Sequence, residues 1–259
     1  MGCPGGARFA RTALLLSPEQ LDRLWHAHVI IFGLGGVGSY AAEALCRAGI
    51  GKLSLVDGDT IDESNMNRQL PALRSTLGKP KAGVVRERLL DISPDAQVEA
   101  IEAFHLPDKQ VPIPQDVSFL VDAVDTVAAK IDLALICRRR GISMIACMGM
   151  GNRLDPTRVR IGDLFETHDC SLCRVMRREL RKRGVTSLRC VYSTEPAGRV
   201  PAQRAFSPDP EVCSFKPFTD GADPMRPPPG SVAYVPAVAG LYMAYEAVRA
   251  LCEGADAGT

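Results

Sequence analysis

The feature that most constrains the fold of this chain is the glycine-rich run GLGGVG at residues 33–38. The apolar stretch 29–32 precedes it and the alanine-rich segment 39–48 follows it, so we expect a strand, a tight turn and a helix. Glycines let the backbone of such a turn approach a phosphate closely, and the start of the helix presents free N–H groups to the anion. The run therefore predicts the phosphate-binding turn of a doubly wound α/β fold.

Helical and extended patterns alternate along the rest of the chain. They predict helices near 18–26, 38–48, 80–91 and 128–140 and strands near 29–33, 52–57, 98–104, 119–123 and 143–148. This alternation indicates a Rossmann-like, mainly parallel sheet covered by helices, with a variable lobe towards the C-terminus. The length of 259 residues and the 46% of hydrophobic residues suit one α/β domain.

We expect three segments within that domain. A nucleotide-binding core is predicted over 1–190, a proline-rich loop or crossover over 191–230, and a helix over 231–259 that completes the core. Nine of the 19 prolines lie between Thr194 and Gly230, which disfavours regular structure in that segment.

Asp57 ends the second expected strand, 24 positions after Gly33. A carboxylate at this spacing can accept hydrogen bonds from both hydroxyls of a nucleotide ribose. Up to this point, an NAD-dependent dehydrogenase fits the pattern as well as an ATP-binding protein does.

Polar side chains that come after Asp57 distinguish these two alternatives. Asn65, Arg68 and Gln69 lie in one loop, Lys81 follows that loop, and Asp125 lies at the end of a later strand. Cations and amides can hold phosphoryl oxygens, and a strand-end carboxylate can hold Mg²⁺ by oxygen ligation. The set therefore favours a triphosphate over a dinucleotide.

Four strings carry a resemblance to a known superfamily: GLGGVGS, LVDGDTIDESNMNRQ, LGKPKA and VDAVDT. They resemble the ubiquitin-activating superfamily that includes the bacterial ThiF, MoeB and HesA proteins, over about residues 8–190 and again over 231–252. The resemblance implies an ATP site of the ubiquitin-activating type, at which a carboxylate is adenylated with ATP and Mg²⁺.

The resemblance also implies roles for individual residues. Those implied to hold the nucleotide are Gly33, Gly35, Gly36, Gly38, Asp57, Asp59, Asn65, Arg68, Gln69 and Lys81. Those implied to take part in catalysis are Arg11, Arg68, Lys81 and Asp125, with Asp125 as the Mg²⁺ ligand. Because Arg11 matches an arginine that reaches the ATP of the neighbouring subunit, the resemblance implies a homodimer.

Three further strings are similar to one branch of that superfamily, the TcdA dehydratases. They are MGMGNRLDPT at 148–157, RVMR at 174–177 and ELRKRG at 179–184. This similarity implies a ligase-like, ATP-dependent enzyme that adenylates the carboxylate of N6-threonylcarbamoyladenosine in tRNA. A nitrogen of the same side chain then closes a ring, and water is lost. The family further implies a cysteine desulfurase and its sulfur-acceptor protein as partners.

Two other functions share the same ATP site. An adenylyltransferase would activate the C-terminus of a ubiquitin-like sulfur-carrier protein in place of an RNA. A nucleotide-binding regulator would bind ATP and produce no AMP.

The formal net charge of +1 conceals an uneven distribution of charge. Residues 137–190 carry 13 basic and 5 acidic side chains, whereas residues 1–136 carry 13 and 17 and residues 191–259 carry 5 and 8. The excess comes from Arg138-Arg139-Arg140 and from the cluster at 174–183. Since arginine binds phosphate oxygens through a planar fork, the segment predicts an RNA-binding surface, with a merely solvated helix face as the alternative.

The nine cysteines are odd in number and scattered, which argues against a disulfide framework and favours buried apolar roles. Residues 170–173 form the sole CxxC pair, whereas relatives with structural zinc carry two such pairs, so zinc is not expected. The cysteines that remain open as thioester-forming residues are Cys170, Cys173, Cys190 and Cys213.

The sequence contains no run of roughly 18 uncharged apolar residues, the length that a membrane span needs. The N-terminal segment 1–7 is too short and too rich in glycine for a secretory signal. We therefore expect a cytoplasmic protein without a membrane span.

Overall fold

The computed structural model describes residues 6–168, 170–198 and 229–253 of the chain. The strands in these ranges are β1 His28–Phe32, β2 Lys52–Val56, β3 Gln97–Ile101, β4 Phe119–Asp122, β5 Ser143–Cys147, β6 Val159–Asp163 and β7 Arg189–Ser193. The helices are α1 Pro18–His26, α2 Gly38–Ala48, α3 Lys81–Ile92, α4 Val127–Arg140, α5 Ser171–Arg181 and α6 Tyr234–Glu253.

The seven strands form one sheet in the order β3-β2-β1-β4-β5-β7-β6. All neighbouring pairs are parallel except β6 and β7, which pair antiparallel at one edge. The predicted Rossmann-like, mainly parallel sheet is confirmed. After β3 the chain returns to place β4 on the other side of β1, so the crevice between β1 and β4 is the switch point where such sheets bind ligands.

Both faces of the sheet are covered, which explains the apolar character of its central strands. In β1, Val29 and Ile31 pack into one core cluster with residues of α2, α3 and α6. Ile30 and Phe32, whose side chains alternate with these, pack into another cluster with Leu133 of α4. A strand that is buried on both faces needs a continuous apolar run, and all five residues of β1 are buried.

Three described elements were not expected from the sequence: β6, β7 and α5. β7 takes up the first three positions of the range 191–230, for which a loop or crossover was expected. Residues 199–228 of that range lie outside the described residues. In the described ranges, no helix is both long and apolar enough to span a membrane.

The two chain ends that flank residues 199–228 meet at Asn152. The N–H of Gly198 donates to the Asn152 carbonyl at 2.8 Å, and Asn152 N–H donates to the Gly230 carbonyl at 2.7 Å. The Gly230 N–H in turn donates to Asn152 Oδ1 at 2.6 Å. Asn152 adopts φ +58°, a left-handed conformation that asparagine tolerates better than most residues.

Candidate active site

The glycine turn at 33–38 joins β1 to α2 in a geometry that only glycine permits at two positions. Gly33 has φ +85°, and a Cβ built there would lie 2.7 Å from the Ala123 carbonyl oxygen at the end of β4. A Cβ on Gly38 would lie 1.7 Å from the Gly33 carbonyl oxygen. The turn is therefore packed tightly against the end of β4, at the switch point of the sheet.

The N-terminus of α2 is open to an anion. Its N-cap residue, Val37, makes no side-chain capping hydrogen bond, and the first turn of the helix contains no acidic residue. The amides of a first helical turn lack intrahelical partners and carry the positive end of the helix dipole. This end of α2 thus has the properties of a phosphate-binding site.

Asp57 follows β2 and contacts the glycine turn directly. Its Oδ2 accepts a hydrogen bond from Leu34 N–H at 2.6 Å, and its Oδ1 accepts one from Asp59 N–H at 2.8 Å. Burial raises the pKa of Asp57, and the Lys81 charge and the two backbone hydrogen bonds oppose that shift. Each carboxylate oxygen keeps a further lone pair for a ribose hydroxyl.

Lys81 is the first residue of α3, and its side chain is buried beside the same loop. Its Nζ donates to Asp59 Oδ2 at 2.7 Å, and its backbone N–H donates to the Asp59 carbonyl at 3.0 Å. Only 4% of Lys81 is exposed, whereas the Asp59 side chain is half exposed. The ammonium therefore has a fixed position and two remaining donors.

The loop 65–69 packs over the glycine turn. A Cβ on Gly36 would lie 3.3 Å from the Arg68 carbonyl oxygen, and one on Gly35 would lie 3.7 Å from Gln69 Nε2. Arg68 Nη1 donates to the Ser64 carbonyl at 2.9 Å. Burial lowers the pKa of Arg68 from its ordinary value.

Two buried amides complete this loop. Asn65 Oδ1 accepts from the Asp62 N–H at 3.3 Å, and the Asn65 carbonyl accepts from the Gln69 N–H at 2.9 Å. Gln69 is 8% exposed, and its Oε1 atom has no hydrogen-bond partner among the described residues. An orphaned buried amide oxygen beside a phosphate-binding turn fits a site that is completed by a ligand.

Asp125 and Arg11 are both exposed. Asp125 follows the end of β4, two residues after Ala123, and its Oδ1 accepts from the Thr126 hydroxyl at 3.3 Å. Because Ala123 packs against the glycine turn, Asp125 lies only two residues beyond the backbone that borders the crevice. Arg11 lies before the 3₁₀ turn Thr12–Leu14, and its side chain makes no hydrogen bond or ion pair within the described part of the chain.

An ion pair that was not expected from the sequence lies under this crevice. Asp122, the last residue of β4, is fully buried, and its Oδ1 accepts from Lys130 Nζ at 3.0 Å and from Val124 N–H at 3.2 Å. Burial raises the pKa of Asp122, and the Lys130 charge opposes the shift. The pair anchors the backbone that leads from β4 to Asp125. Asp122 is the first aspartate of the string VDAVDT, so the motif already contained one member of the pair.

The residues present fit a nucleotide with Mg²⁺. The open end of α2 supplies an anion site, and Asp57 supplies an acceptor for the ribose hydroxyls. Lys81 supplies a cation, and Gln69 supplies a free amide oxygen. No group of three or more His, Cys, Asp or Glu side chains within the described ranges is arranged to hold a metal. In nucleotide sites Mg²⁺ is bound through one or two carboxylates together with substrate phosphates, and the exposed carboxylate that follows β4 here is that of Asp125.

The basic segment divides into structural and exposed side chains. Arg140 donates to the carbonyls of Ile113 and Pro114, each at 2.7 Å. Arg177 donates to the Thr167 carbonyl at 2.6 Å and to the Leu164 carbonyl at 3.2 Å. An open cleft of about 450 Å³ on α5 is lined by Arg174, Arg177, Arg178, Arg181 and Lys182.

The described cysteines are free thiols, and all of them are buried. They are Cys46, Cys137, Cys147, Cys170, Cys173, Cys190 and Cys252. Cys3 and Cys213 lie outside the described residues.

The chain belongs to the ThiF family, whose profile matches residues 9–257. Within this family it is similar to dehydratases that act on RNA. It is 38% identical over 238 residues to the tRNA threonylcarbamoyladenosine dehydratase of Bacillus subtilis, and the match covers 91% of each chain. The resemblance that was identified from the motifs is confirmed.

Solved structures agree with this assignment. The crystal structure of Escherichia coli tRNA N6-threonylcarbamoyladenosine dehydratase, TcdA, in complex with AMP matches with a TM-score of 0.79 and 32% identity, over 96% of this chain and 95% of that chain. The structure of the same protein in complex with ATP also gives a TM-score of 0.79, at 31% identity.

Proposed function

We propose that this chain is an ATP-dependent, ligase-like dehydratase that adenylates the carboxylate of N6-threonylcarbamoyladenosine in tRNA, after which the base modification cyclises. The similarity to a named enzyme carries the proposal, because a relative that matches nine tenths of the chain is named for the dehydratase activity. The crevice formed by the glycine turn, Asp57 and Lys81 is consistent with it, since its groups suit a bound ATP. The carrier-protein alternative is not favoured, because relatives named as dehydratases match 91% and 83% of the chain, whereas a molybdopterin-synthase adenylyltransferase matches 60% of it.

Residues of the crevice have separate tasks in this reaction. Bound ATP with Mg²⁺ supplies the activation that turns a carboxylate oxygen into part of a leaving group. Asp57 holds the ribose, while Lys81, Arg68 and the start of α2 stabilise the charge on the phosphates. Asn65, Asp59 and Gln69 position those groups.

Asp125 is proposed as the protein ligand of Mg²⁺, since its carboxylate is exposed at the switch point of the sheet. Ring closure is intramolecular, so the protein contributes mainly by holding the two reacting groups in place. No covalent enzyme intermediate is needed for this step.

We further propose that the enzyme works as a homodimer in the cytoplasm, with Arg11 of each subunit directed to the ATP of the other. The exposure of Arg11 and its lack of partners within the described ranges support this role. A cysteine desulfurase with its sulfur acceptor is proposed as a partner system from the family resemblance.

The experiment that tests the function is incubation with ATP, Mg²⁺ and threonylcarbamoylated tRNA. We expect AMP release together with the loss of one water, about 18 Da, from the modified nucleoside by mass spectrometry. Matched reactions contain unmodified tRNA, or a sulfur-carrier protein with a Gly-Gly tail. AMP formation with the carrier alone would support the adenylyltransferase, and ATP binding without AMP in every reaction would support the regulator.

A further inference from the structure

The start of α5 brings together a cluster of thiols that the proposed reaction does not use. Cys170 and Cys173, at the start of this helix, pack with Cys190 of β7 in one buried apolar cluster. Cys170 is 4% exposed, and Cys173 and Cys190 are fully buried. The cluster lies beyond β5, on the opposite side of β4 from the glycine turn.

Cys170 and Cys173 have the geometry of a dithiol pair at a helix N-terminus. Cys170 is the N-cap residue of α5, and its Sγ accepts the Cys173 N–H at 3.5 Å. A Cβ built on Gly149 would lie 4.0 Å from the Cys170 sulfur, so the backbone of this glycine is close to the thiol. Residues three apart on a helix have Cα atoms about 5 Å apart, within the range that a disulfide bridges.

A buried guanidinium that is bonded to Gly149 lacks a carboxylate partner. Arg153 is 3% exposed, and its Nε donates to the Gly149 carbonyl at 3.0 Å. Its Nη1 is buried without a hydrogen-bond partner, and no ion pair of Arg153 occurs among the described residues. A buried cation without a counter-ion is costly, and a thiolate at Cys170 would supply the missing charge.

The pKa values of the two cysteines are shifted in opposite directions, and the thiolate is favoured at Cys170. The hydrogen bond from Cys173, the backbone amides and the Arg153 charge hold the pKa of Cys170 well below its ordinary value. The same hydrogen bond, together with burial, raises the pKa of Cys173. Burial raises the pKa of Cys147 and of Cys190 to about 12, so these two stay protonated.

We propose that Cys170 and Cys173 are a redox-active dithiol that exchanges with small organic disulfides. The Cys170 thiolate attacks one sulfur of the disulfide, and a mixed disulfide and one free thiolate result. Cys173 then loses its proton and attacks the Cys170 sulfur, which releases the second thiolate. The two protein thiols are oxidised to a Cys170–Cys173 disulfide, and the small disulfide is reduced to two thiols.

Peptide mass spectrometry tests this pair directly. Trypsin cuts after Arg160 and Arg174, so both cysteines lie in one peptide, 161–174. The native protein is equilibrated with 2-hydroxyethyl disulfide and 2-mercaptoethanol, the exchange is quenched with acid, and the free thiols of the unfolded protein are then labelled with a maleimide. We expect the fraction of this peptide that carries no maleimide, and is about 2 Da lighter than the free dithiol, to increase with the oxidant. The peptides that contain Cys147 and Cys190 are the internal controls and should stay reduced.

Single variants separate the role of the attacking thiolate, Cys170, from that of Cys173, which closes the disulfide. Cys173→Ser should leave a mercaptoethanol adduct on Cys170, and Cys170→Ser should leave Cys173 unmodified. Arg153→Met should raise the pKa that the alkylation rate of Cys170 shows over a pH series in the native protein, because one of the charges that favour the thiolate is removed. A peptide that stays reduced, oxidation that is equal at Cys147 and Cys190, or an unchanged pH profile of alkylation in Arg153→Met would overturn the proposal.

Discussion

At the scale of single residues, the crevice depends on a few charged groups whose positions are fixed by packing. Lys81 is the clearest case, because its side chain is buried while its partner Asp59 is half exposed. Removing the ammonium leaves Asp59 in contact with water, whereas the buried Asp57 loses a nearby charge and keeps its two backbone hydrogen bonds. We therefore expect a larger effect on function than on stability at this position.

Lys81→Met should reduce the rate of AMP formation by about 10²- to 10³-fold, the typical effect of losing one group that stabilises transition-state charge. The thermal unfolding midpoint should change little. AMP release and circular dichroism measure the two effects, and Lys79→Met, an exposed neighbour, is the matched control. Normal turnover in Lys81→Met would contradict its placement in the site.

Lys130 should behave in the opposite way, since its partner Asp122 is fully buried. Lys130→Met leaves a buried carboxylate without a counter-charge, and we expect a loss of about 3–5 kcal/mol in the free energy of unfolding near neutral pH. Urea unfolding measures this. The double variant with Asp122→Asn should recover part of the loss, because it removes the stranded charge.

The loss of unfolding free energy in Lys130→Met should also depend on pH. Burial already raises the pKa of Asp122 above its unfolded value, and removal of Lys130 raises it further. The folded variant then holds a proton that the unfolded chain releases near pH 4, so its stability falls as pH rises from there towards the raised pKa. The difference from the parent protein should be smaller at pH 5 than at pH 8. An equal difference at both values would show that Asp122 stays ionised.

Short motifs were enough to select the residues around the crevice as candidates, while contacts between distant parts of the chain were not visible in the sequence. The glycine turn, Asp57 and Lys81 could be selected because the motif that contains each of them depends on local spacing. Asp122 and Lys130 were missed because their pairing depends on how α4 packs on β4. Arg140 and Arg177 could not be told apart from the exposed arginines, because a charge count does not reveal which guanidinium donates to carbonyls.

At the scale of elements, burial decides what the sequence predicts. The central strands and the helices α1 to α4 were located to within a few residues, because apolar strands alternate regularly with helical segments along this part of the chain. β6 and β7 carry charged residues such as Arg160 and Arg189 and pair antiparallel at an edge, so their patterns are weak. α5 buries a regular apolar stripe, Cys173, Met176 and Leu180, but the segment was interpreted only as a cluster of arginines.

The exposed side of α5 should bind the RNA backbone. Replacing Arg174, Arg178 and Arg181 together by Ala should weaken tRNA affinity and reduce the slope of log K against log salt by about 2–3, near one for each lost phosphate contact. Filter binding at several salt concentrations measures this, and ATP affinity should not change. Arg177 is left intact because it donates to the carbonyls of Thr167 and Leu164.

The triple variant of Arg47, Arg86 and Arg88, on α2 and α3, is the matched control of equal charge. Its salt slope should equal that of the parent protein. Equal slopes in all three proteins would show that the α5 surface is only solvated.

At the scale of the whole molecule, charge and function are divided between regions of one sheet. The nucleotide crevice lies in the acidic part of the chain, 1–136, whereas the basic surface lies on α5 beyond β5. Under the proposed function, ATP in the crevice and the RNA backbone on α5 would be bound by different elements.

If Arg11 acts across a dimer, two inactive variants should complement each other. Subunits that carry Arg11→Ala, mixed and exchanged with subunits that carry Lys81→Ala, can form heterodimers with one intact site. AMP formation should rise to about a quarter of the parent rate for random pairing, since half the dimers then hold one of two sites. Mixing without any gain would refute the assignment, provided that subunit exchange is seen by native mass spectrometry.

The hydrogen bonds of Asn152 bear on which insertions this protein can accept during evolution. Because it joins Gly198 to Gly230, the number of residues inserted between them is independent of the geometry of the sheet. Each doubling of such an insertion adds only about 0.6 kcal/mol of closure entropy. Insertions or deletions between these two glycines should therefore leave the strands and the glycine turn in place.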